Sequence, residues 1–485
     1  MASGIQHSSS ELNGWKLRSC TASLALVFVM CLAAANSAAQ TTTQSNRLIV
    51  RDSLGVSGIL NVCNLLGCSA ITGLGDPQGQ LFLIQTLAPV NSSTTQWLLS
   101  LNLGVVDVED DQIVQTLGAT AGPAPSYLND RRPYTYYGTT VWHGYVYQPA
   151  DELIRTHETH SMFHVAGSGV TVADIDTGVD PNNPVLASSL VDGYDFTRNQ
   201  SGGSEMSDVN QSSVAVLDGE GADPAQVNQS SVAVLDQSSV AVLDNSQYAA
   251  FGHGTMTAGL IHLVAPQAGI MPLKAFQSDG TGYDSDILRA IYYAVGHGAK
   301  VINMSFSYTS YSQELANAVN YATDNGVTCV ASAGNSGEQA TVYPAALKNV
   351  IDVASTSNED TPSVFSNYGA PPVWLAAPGE GVMTTYPFDT YAAGWGTSFS
   401  APLVSGTTAL LISMNMVQGN SQVALSIGPV SSALSLQVTT SAPSSEPQAA
   451  NALSHADPIN DPQMGYGRLD TYLAVQAWST NLGLY

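Results

Sequence analysis

Between residues 170 and 355, short apolar runs alternate with stretches of helical spacing, and this alternation limits the fold more than any other feature. Residues 170–175, 270–275, 301–305, 327–332 and 350–355 are Val-, Ile- and Ala-rich runs of strand length. They read as nearly continuous apolar segments, as strands buried on both faces do. Residues 285–297 carry Ile287, Leu288, Ile291, Ala294 and Val295 at helical spacing, and 313–325 form a second helix that stops before Gly326. The segment after His253 is a third. The pattern predicts an α/β domain, doubly wound, with a mainly parallel sheet and helices on both faces. In such sheets, sites gather beyond the carboxyl ends of the strands.

Chemistry-bearing residues fall at those places. Gly396-Thr397-Ser398-Phe399-Ser400-Ala401-Pro402 leads into an apolar, helix-length run, 402–414. A serine hydroxyl at a helix N-terminus sits where unpaired N–H groups and the dipole favour negative charge. A nucleophilic serine generates an oxyanion beside itself, so the place suits it; alone, the same pattern is as well explained by an ordinary cap. Partners are available. Asp176 lies in Val172-Ala173-Asp174-Ile175-Asp176-Thr177-Gly178, and His253 in Gly252-His253-Gly254-Thr255-Met256-Thr257-Ala258-Gly259. The chain order is Asp, His, Ser. With Ala331-Ser332-Ala333-Gly334-Asn335-Ser336-Gly337, these segments resemble the subtilisin-like serine proteases (subtilases, peptidase S8).

The resemblance implies roles. Ser398 would attack a peptide carbonyl, His253 would shuttle its proton, and Asp176 would orient the imidazole. Asn335 and the Ser398 backbone N–H would form the oxyanion hole. Asp174 and Asp180 are read as structural. Extended substrate would lie along Gly280, Thr281 and Gly282 on one side and Ser305, Phe306 and Ser307 on the other. Glycines are usual in the family where Ser307 and Tyr308 stand, so a reshaped specificity pocket is expected. Met256 stands where a second histidine is common, and Thr257 where a valine is common. No cofactor is expected. The strong family calcium site should be missing, because Val185 occupies a ligand position; a weak calcium site stays open.

The resemblance also orders the N-terminal part. Residues 1–39 read as a signal peptide: Lys16 and Arg18, then an apolar stretch, then Ser37-Ala38-Ala39. Residues 46–115 would be a small α+β propeptide acting as an inhibitor, and 116–135 an exposed linker where maturation cuts, with Arg131-Arg132 as one candidate place. The catalytic domain would span 136–485, with insertions at 199–247 and 416–460. The first insertion holds three copies of Gln-Ser-Ser-Val-Ala-Val-Leu-Asp, at 211–218, 229–236 and 237–244. They read as a duplicated surface loop; a β-prone arm is the sharper alternative. The chain ends soon after residue 470, and no appended binding domain is expected.

Charge narrows the partners. The 485-residue chain has a formal charge of −25 with only 11% charged residues. Such a chain repels nucleic acid and anionic membranes. A surface built from Ser, Thr, Asn, Gln and Gly should tolerate acid. Cys63 and Cys68 could be bridged or free, and Cys329 should be a buried small hydrophobe. His157, His160 and His164 share helical spacing, which is read as packing in preference to a metal site. The expected function is a secreted (extracellular or periplasmic) serine endopeptidase acting on polypeptides, autoprocessed from a precursor and carrying no membrane anchor. A peptide-binding pseudoenzyme and a dedicated processing protease are the alternatives.

Overall fold

The computed structural model describes residues 45–101, 103–116, 121–209, 232–234, 248–369, 373–417, 463–465 and 467–481. The signal-peptide reading and two of the three repeat copies lie outside these residues.

The first unit is α+β. Strands β1 (Ser45–Asp52), β2 (Cys68–Gly73), β3 (Leu81–Val90) and β4 (Val105–Asp110) form a four-stranded antiparallel sheet in the order β2-β3-β1-β4. Helices α1 (Val56–Leu66) and α2 (Ser92–Ser100) accompany it. Leu48, Val50, Ile59, Val62, Phe82, Ile84 and Leu98 make a core of its own. A Cys63–Cys68 disulfide joins the end of α1 to β2. A last short strand, β5 (Ile113–Gln115), leaves this sheet and pairs elsewhere.

Residues 121–135 were expected to be an exposed linker, and they pack instead. Leu128 is fully buried, and the Tyr127 hydroxyl donates to Gly381 O at 2.6 Å. Their apolar side chains find the main body, and Arg131 and Arg132 stay exposed. A hairpin, β6 (Pro133–Tyr136) and β7 (Thr139–Trp142), follows. Helix α3 (Thr156–Phe163) carries the histidine spacing. His160 is buried against Val264 O at 2.9 Å, His157 is exposed, and His164 ends the helix in a left-handed conformation, so the three do not converge.

The main body holds an eight-stranded sheet in the order β10-β9-β12-β8-β14-β15-β16-β17. Its members are β8 (Thr171–Asp176), β9 (Tyr194–Asp195), β10 (Gln200–Ser201), β12 (Gly269–Lys274), β14 (Val301–Met304), β15 (Thr328–Ser332), β16 (Val350–Thr356) and β17 (Leu375–Pro378). Every neighbouring pair is parallel except β10–β9. Residues 199–209 therefore belong to the packed body and not to the insertion, because β10 completes the sheet edge and Glu205 is buried. Within the repeats, β11 (Val232–Val234) pairs with β19 (Thr390–Gly394), which also pairs with β18 (Val382–Tyr386). The helices are α4 (His253–Val264), α5 (Asp284–Gly296), α6 (Gln313–Asp324), α7 (Thr397–Val417) and α8 (Thr471–Asn481). Short strand β13 (Thr281–Tyr283) precedes α5.

From β8 the chain runs to the sheet edge at β9 and β10, returns to β12 beside β8, and then crosses to β14 on the opposite side. Strand order thus reverses at β8. In a parallel sheet the crevice above that reversal is open, because the helices diverge to either face. Asp176 ends β8 and Ser305 follows β14, so both line it.

Candidate active site

Helix α4 brings His253 to Asp176, and two glycines decide how closely. Gly252 has φ 88°, and a Cβ there would lie 2.4 Å from the Tyr386 ring. A Cβ on Gly254 would lie 2.1 Å from Gly178 O. The first turn of α4 therefore rests backbone to backbone on the Thr177–Gly178 turn. His253 Nδ1 then lies 2.8 and 2.9 Å from the two Asp176 carboxylate oxygens. Asp176 Oδ1 also accepts the Thr177 N–H at 2.7 Å. Burial works against a charged His253, but the Asp176 carboxylate, with Asp174 behind it, outweighs burial and holds the imidazole pKa above its ordinary value.

Two further buried carboxylates flank this pair. Glu205 accepts the Gly252 N–H at 2.8 Å and hydroxyls from Thr255 and Thr177. Burial pushes its carboxyl up to about 8. Asp174 accepts from Thr257 and Asn303.

Ser398 stands in the first turn of α7, which begins at Thr397, five residues earlier than the apolar run suggested. Pro402 lacks the N–H that would bond the Ser398 carbonyl four residues back. Ser305 Oγ donates to that carbonyl instead, at 2.9 Å. The turn is pinned from the other side by Asn335, whose Oδ1 accepts the Thr397 N–H at 2.8 Å and its hydroxyl at 3.0 Å. This fixes the orientation of the Asn335 amide, with its carbonyl oxygen held at the turn. Ser398 Oγ donates to Ser305 O at 3.1 Å. His253 Nε2 is buried and has no hydrogen-bond partner among the described residues. The Ser398 hydroxyl is thus bonded to Ser305 O and not to the imidazole. Catalytic hydrogen bonds often tighten only once substrate is bound.

The crevice is occupied by the last stretch of the chain's own N-terminal unit, 113–116. β5 runs antiparallel to β13, with Thr281 opposite Gln115, Gly282 opposite Val114 and Tyr283 opposite Ile113. The Thr116 N–H donates to Gly280 O at 2.8 Å. Thr116 Oγ1 donates to Ser305 O at 3.0 Å, the oxygen that also accepts from Ser398 Oγ. The tail thus reaches Ser305, whose carbonyl also accepts from Ser398 Oγ. Val114 is buried in the core that contains Phe276, Ile287 and Phe306.

Asp176, His253, Ser398, Asn335, Ser305, Gly280, Thr281 and Gly282 lie around this crevice. Phe306 turns into the core against Phe276, at 4.9 Å between ring centroids. Ser307 is half-buried beside it. Tyr308, one residue on, lies with its phenol against the Asp284 carboxyl of α5. Glu205, Asn303 and Thr116 were missed. Among the described residues, no group of three or more His, Cys, Asp or Glu could hold a metal ion.

Comparison with known proteins gives one answer. The model of the subtilase family (Peptidase S8) matches residues 167–457. Thermitase of Thermoactinomyces vulgaris is 37% identical over 269 residues, covering 53% of this chain and 80% of that protein. Subtilisin BL of Lederbergia lenta is 39% identical over 181 residues, covering 36% of this chain and 67% of that protein. In structure, a lanthipeptide protease aligns with TM-score 0.50 at 25% identity, over 68% of this chain and 93% of its own. Fervidolysin from Fervidobacterium pennivorans aligns over 91% of this chain and 62% of its own, with TM-score 0.62 at 20% identity, a likeness of fold. The chain belongs to the subtilase family and is a serine-type endopeptidase.

Proposed function

We propose that this chain is the precursor of an exported endopeptidase that cuts polypeptides with an Asp176–His253–Ser398 triad and matures by cutting itself. The observation that carries the reading is the tail, 113–116, laid as a strand on β13 and ending beside Ser398. Substrate in an extended conformation would use the same backbone groups, with main-chain pairing giving affinity and side chains giving choice.

The chemistry follows from the groups present. Ser398 Oγ turns from Ser305 O to His253 Nε2, which takes its proton as Oγ bonds the scissile carbonyl carbon. Asp176, held at both oxygens by His253 and Thr177, keeps the other ring nitrogen protonated and stabilises the imidazolium. The carbonyl oxygen becomes an oxyanion at the N-terminus of α7, where the Ser398 N–H and the Asn335 amide donate to it. The imidazolium then protonates the leaving amine, and water repeats the sequence on the acyl-enzyme.

In this reading residues 46–115 are the inhibitory propeptide, and the maturation bond follows closely on Thr116, in 117–120. Arg131 and Arg132 then play no part: Arg132 is engaged with Asp130 at 2.6 Å. Residues 1–39 direct export, and among the described residues no helix is long and apolar enough to cross a membrane. Val185 is buried and offers no side-chain oxygen, which supports a chain without the strong family calcium site. A chelator should then leave the melting temperature within about 2 °C, a shift of roughly 1 kcal/mol; a larger fall would restore a calcium role.

The triad is tested with phenylmethylsulfonyl fluoride, a serine-directed reagent. Peptide mapping should find the sulfonyl adduct on Ser398 in the wild type and almost none in His253→Ala. Equal labelling of the two would refute His253 as the base.

A further inference from the structure

Asp174 is a carboxylate in an apolar strand. It lies two residues before Asp176 on β8, on the same face, and is 1% exposed. Its Oδ2 accepts from Thr257 Oγ1 at 2.8 Å, and its Oδ1 from Asn303 Nδ2 at 2.9 Å. Thr257 stands one turn beyond His253 on α4. Asn303 Nδ2 also lies 3.0 Å from Ser305 Oγ, and Ser305 Oγ donates to the Ser398 carbonyl at 2.9 Å. Ser405 Oγ, on α7, donates to Asn303 Oδ1 at 2.9 Å. A continuous hydrogen-bonded chain thus passes under the crevice from the His253 helix to the Ser398 turn. Asp174 is its one ionisable member. A strand that needed only stability would do as well or better with an apolar side chain, since a buried carboxylate must be compensated at every oxygen.

We propose that Asp174 is a positioning residue for peptide-bond cleavage: a second buried carboxylate that locks the His253 helix to the Ser398 turn and supports the imidazolium alongside Asp176. This rests on the reading of Asp176, His253 and Ser398 as the reacting groups.

The surroundings give Asp174 two satisfied states. Its titratable neighbours are Asp176 on its own strand and His253 on α4; β14 and α7 contribute only Asn303, Ser305, Ser398 and Ser405. Burial first, and the Asp176 charge second, push its carboxyl up to about 7. Ionised, it accepts the Thr257 hydroxyl. Protonated, it donates to Thr257 Oγ1, which turns its own proton to Gly254 O at 3.1 Å or His253 O at 3.3 Å. Neither state strands a polar group, so the proton can come and go without local unfolding. Only the ionised state supports His253⁺.

The experiment compares mature Asp174→Asn, Thr257→Val and Thr257→Ser enzymes with the wild type, on a chromogenic peptide from pH 5 to 9. Asp174→Asn should lose about tenfold in kcat with KM within twofold, and the acid limb of kcat/KM should move about one pH unit lower, one unit being tenfold in proton affinity. Thr257→Val, which leaves the carboxylate without its hydroxyl donor, should move the limb the same way. Thr257→Ser, which keeps the hydroxyl, should match the wild type. An unchanged kcat and acid limb in Asp174→Asn, whatever happens to its melting temperature, would overturn the proposal. If Asp174→Asn does not mature, Thr257→Val decides: a wild-type profile there also overturns it. Failure of the underlying reading looks different, because Ser398→Ala would then still turn over substrate.

Discussion

Single atoms set the surroundings of Ser398. The N–H that Pro402 lacks leaves the Ser398 carbonyl to Ser305 Oγ, and the Asn335 oxygen holds Thr397, so the turn that presents Ser398 is fixed from both sides. The same bond orients the Asn335 amide, which the proposed mechanism makes an oxyanion donor. Asn335→Ala should lower kcat by about 10²–10³ with little change in KM, the usual cost of one oxyanion donor; a loss confined to KM in steady-state assays would contradict that role. At this scale the sequence was readable where a residue is bound to its motif by backbone constraint. His253 and Asp176 sit beside glycines that admit no other side chain, so their identity and spacing travel together. Glu205 and Thr116 were not readable, because what they do depends on residues far along the chain. Glu205 serves Gly252 and Thr255 from the edge of a low-complexity insertion, and Thr116 serves Ser305 from another unit. Asp174 was visible but was read as structural; its link to Ser398 through Asn303 appears only when β8, β14 and α7 are packed.

At the scale of elements, β5 and the acids before it join the two units. Asp111 accepts the Ser285 N–H at the start of α5 at 2.8 Å. Glu109 accepts the Gln313 N–H at the start of α6 at 2.5 Å, and the Ser312 hydroxyl at 2.6 Å. Both are carboxylates at positive helix ends. The contact nonetheless gathers more acid than base, with Asp107, Glu109, Asp111, Asp284, Asp286 and Glu314 set against Arg47 and Arg51. Burial chiefly, and these neighbouring acids, push Glu109, Asp284 and Asp286 up to about 7. A carboxyl raised in the complex favours association fully below its unbound pKa of about 4, and that contribution fades as pH rises to about 7. After the cut, the two parts should stay together at pH 5 and separate at pH 8 on size-exclusion chromatography; tighter association at pH 8 would contradict this. The five apolar strands and helices α5 and α6 were legible to within a residue or so, since buried parallel strands are continuous apolar runs, whereas α7 starts five residues before its apolar run. Helix α2 was not: Ser92–Ser100 is largely polar, and its start is set by Asn91, whose side chain caps the helix by accepting the Thr94 N–H at 3.0 Å.

The whole molecule carries a formal charge of −25, yet many of its acids are inside. Burial pushes Asp151, Asp174 and Asp352 up to about 7 and Glu205 up to about 8. Each is unfavourably ionised in the fold, so each adds stability as pH falls from its folded value toward the unfolded one. His160 and His262 oppose this, because burial lowers both to about 4 and their contribution is lost as pH falls below about 6.5. The acids outnumber them. The melting temperature of the Ser398→Ala protein, which cannot digest itself, should therefore be higher at pH 5 than at pH 8, by about 2 °C on a shift of one to two kcal/mol; a collapse below pH 5.5 would contradict the acid tolerance expected from the uncharged polar surface. That the N-terminal unit inhibits, that its tail leads to the cut, and that Ser398 makes the cut form one claim. Intact mass spectrometry of the purified wild type and Ser398→Ala tests it most directly. The account predicts that the wild type loses everything up to a new N-terminus within 118–121 while Ser398→Ala keeps its N-terminal unit; identical masses for the two proteins, cut or uncut, would contradict it.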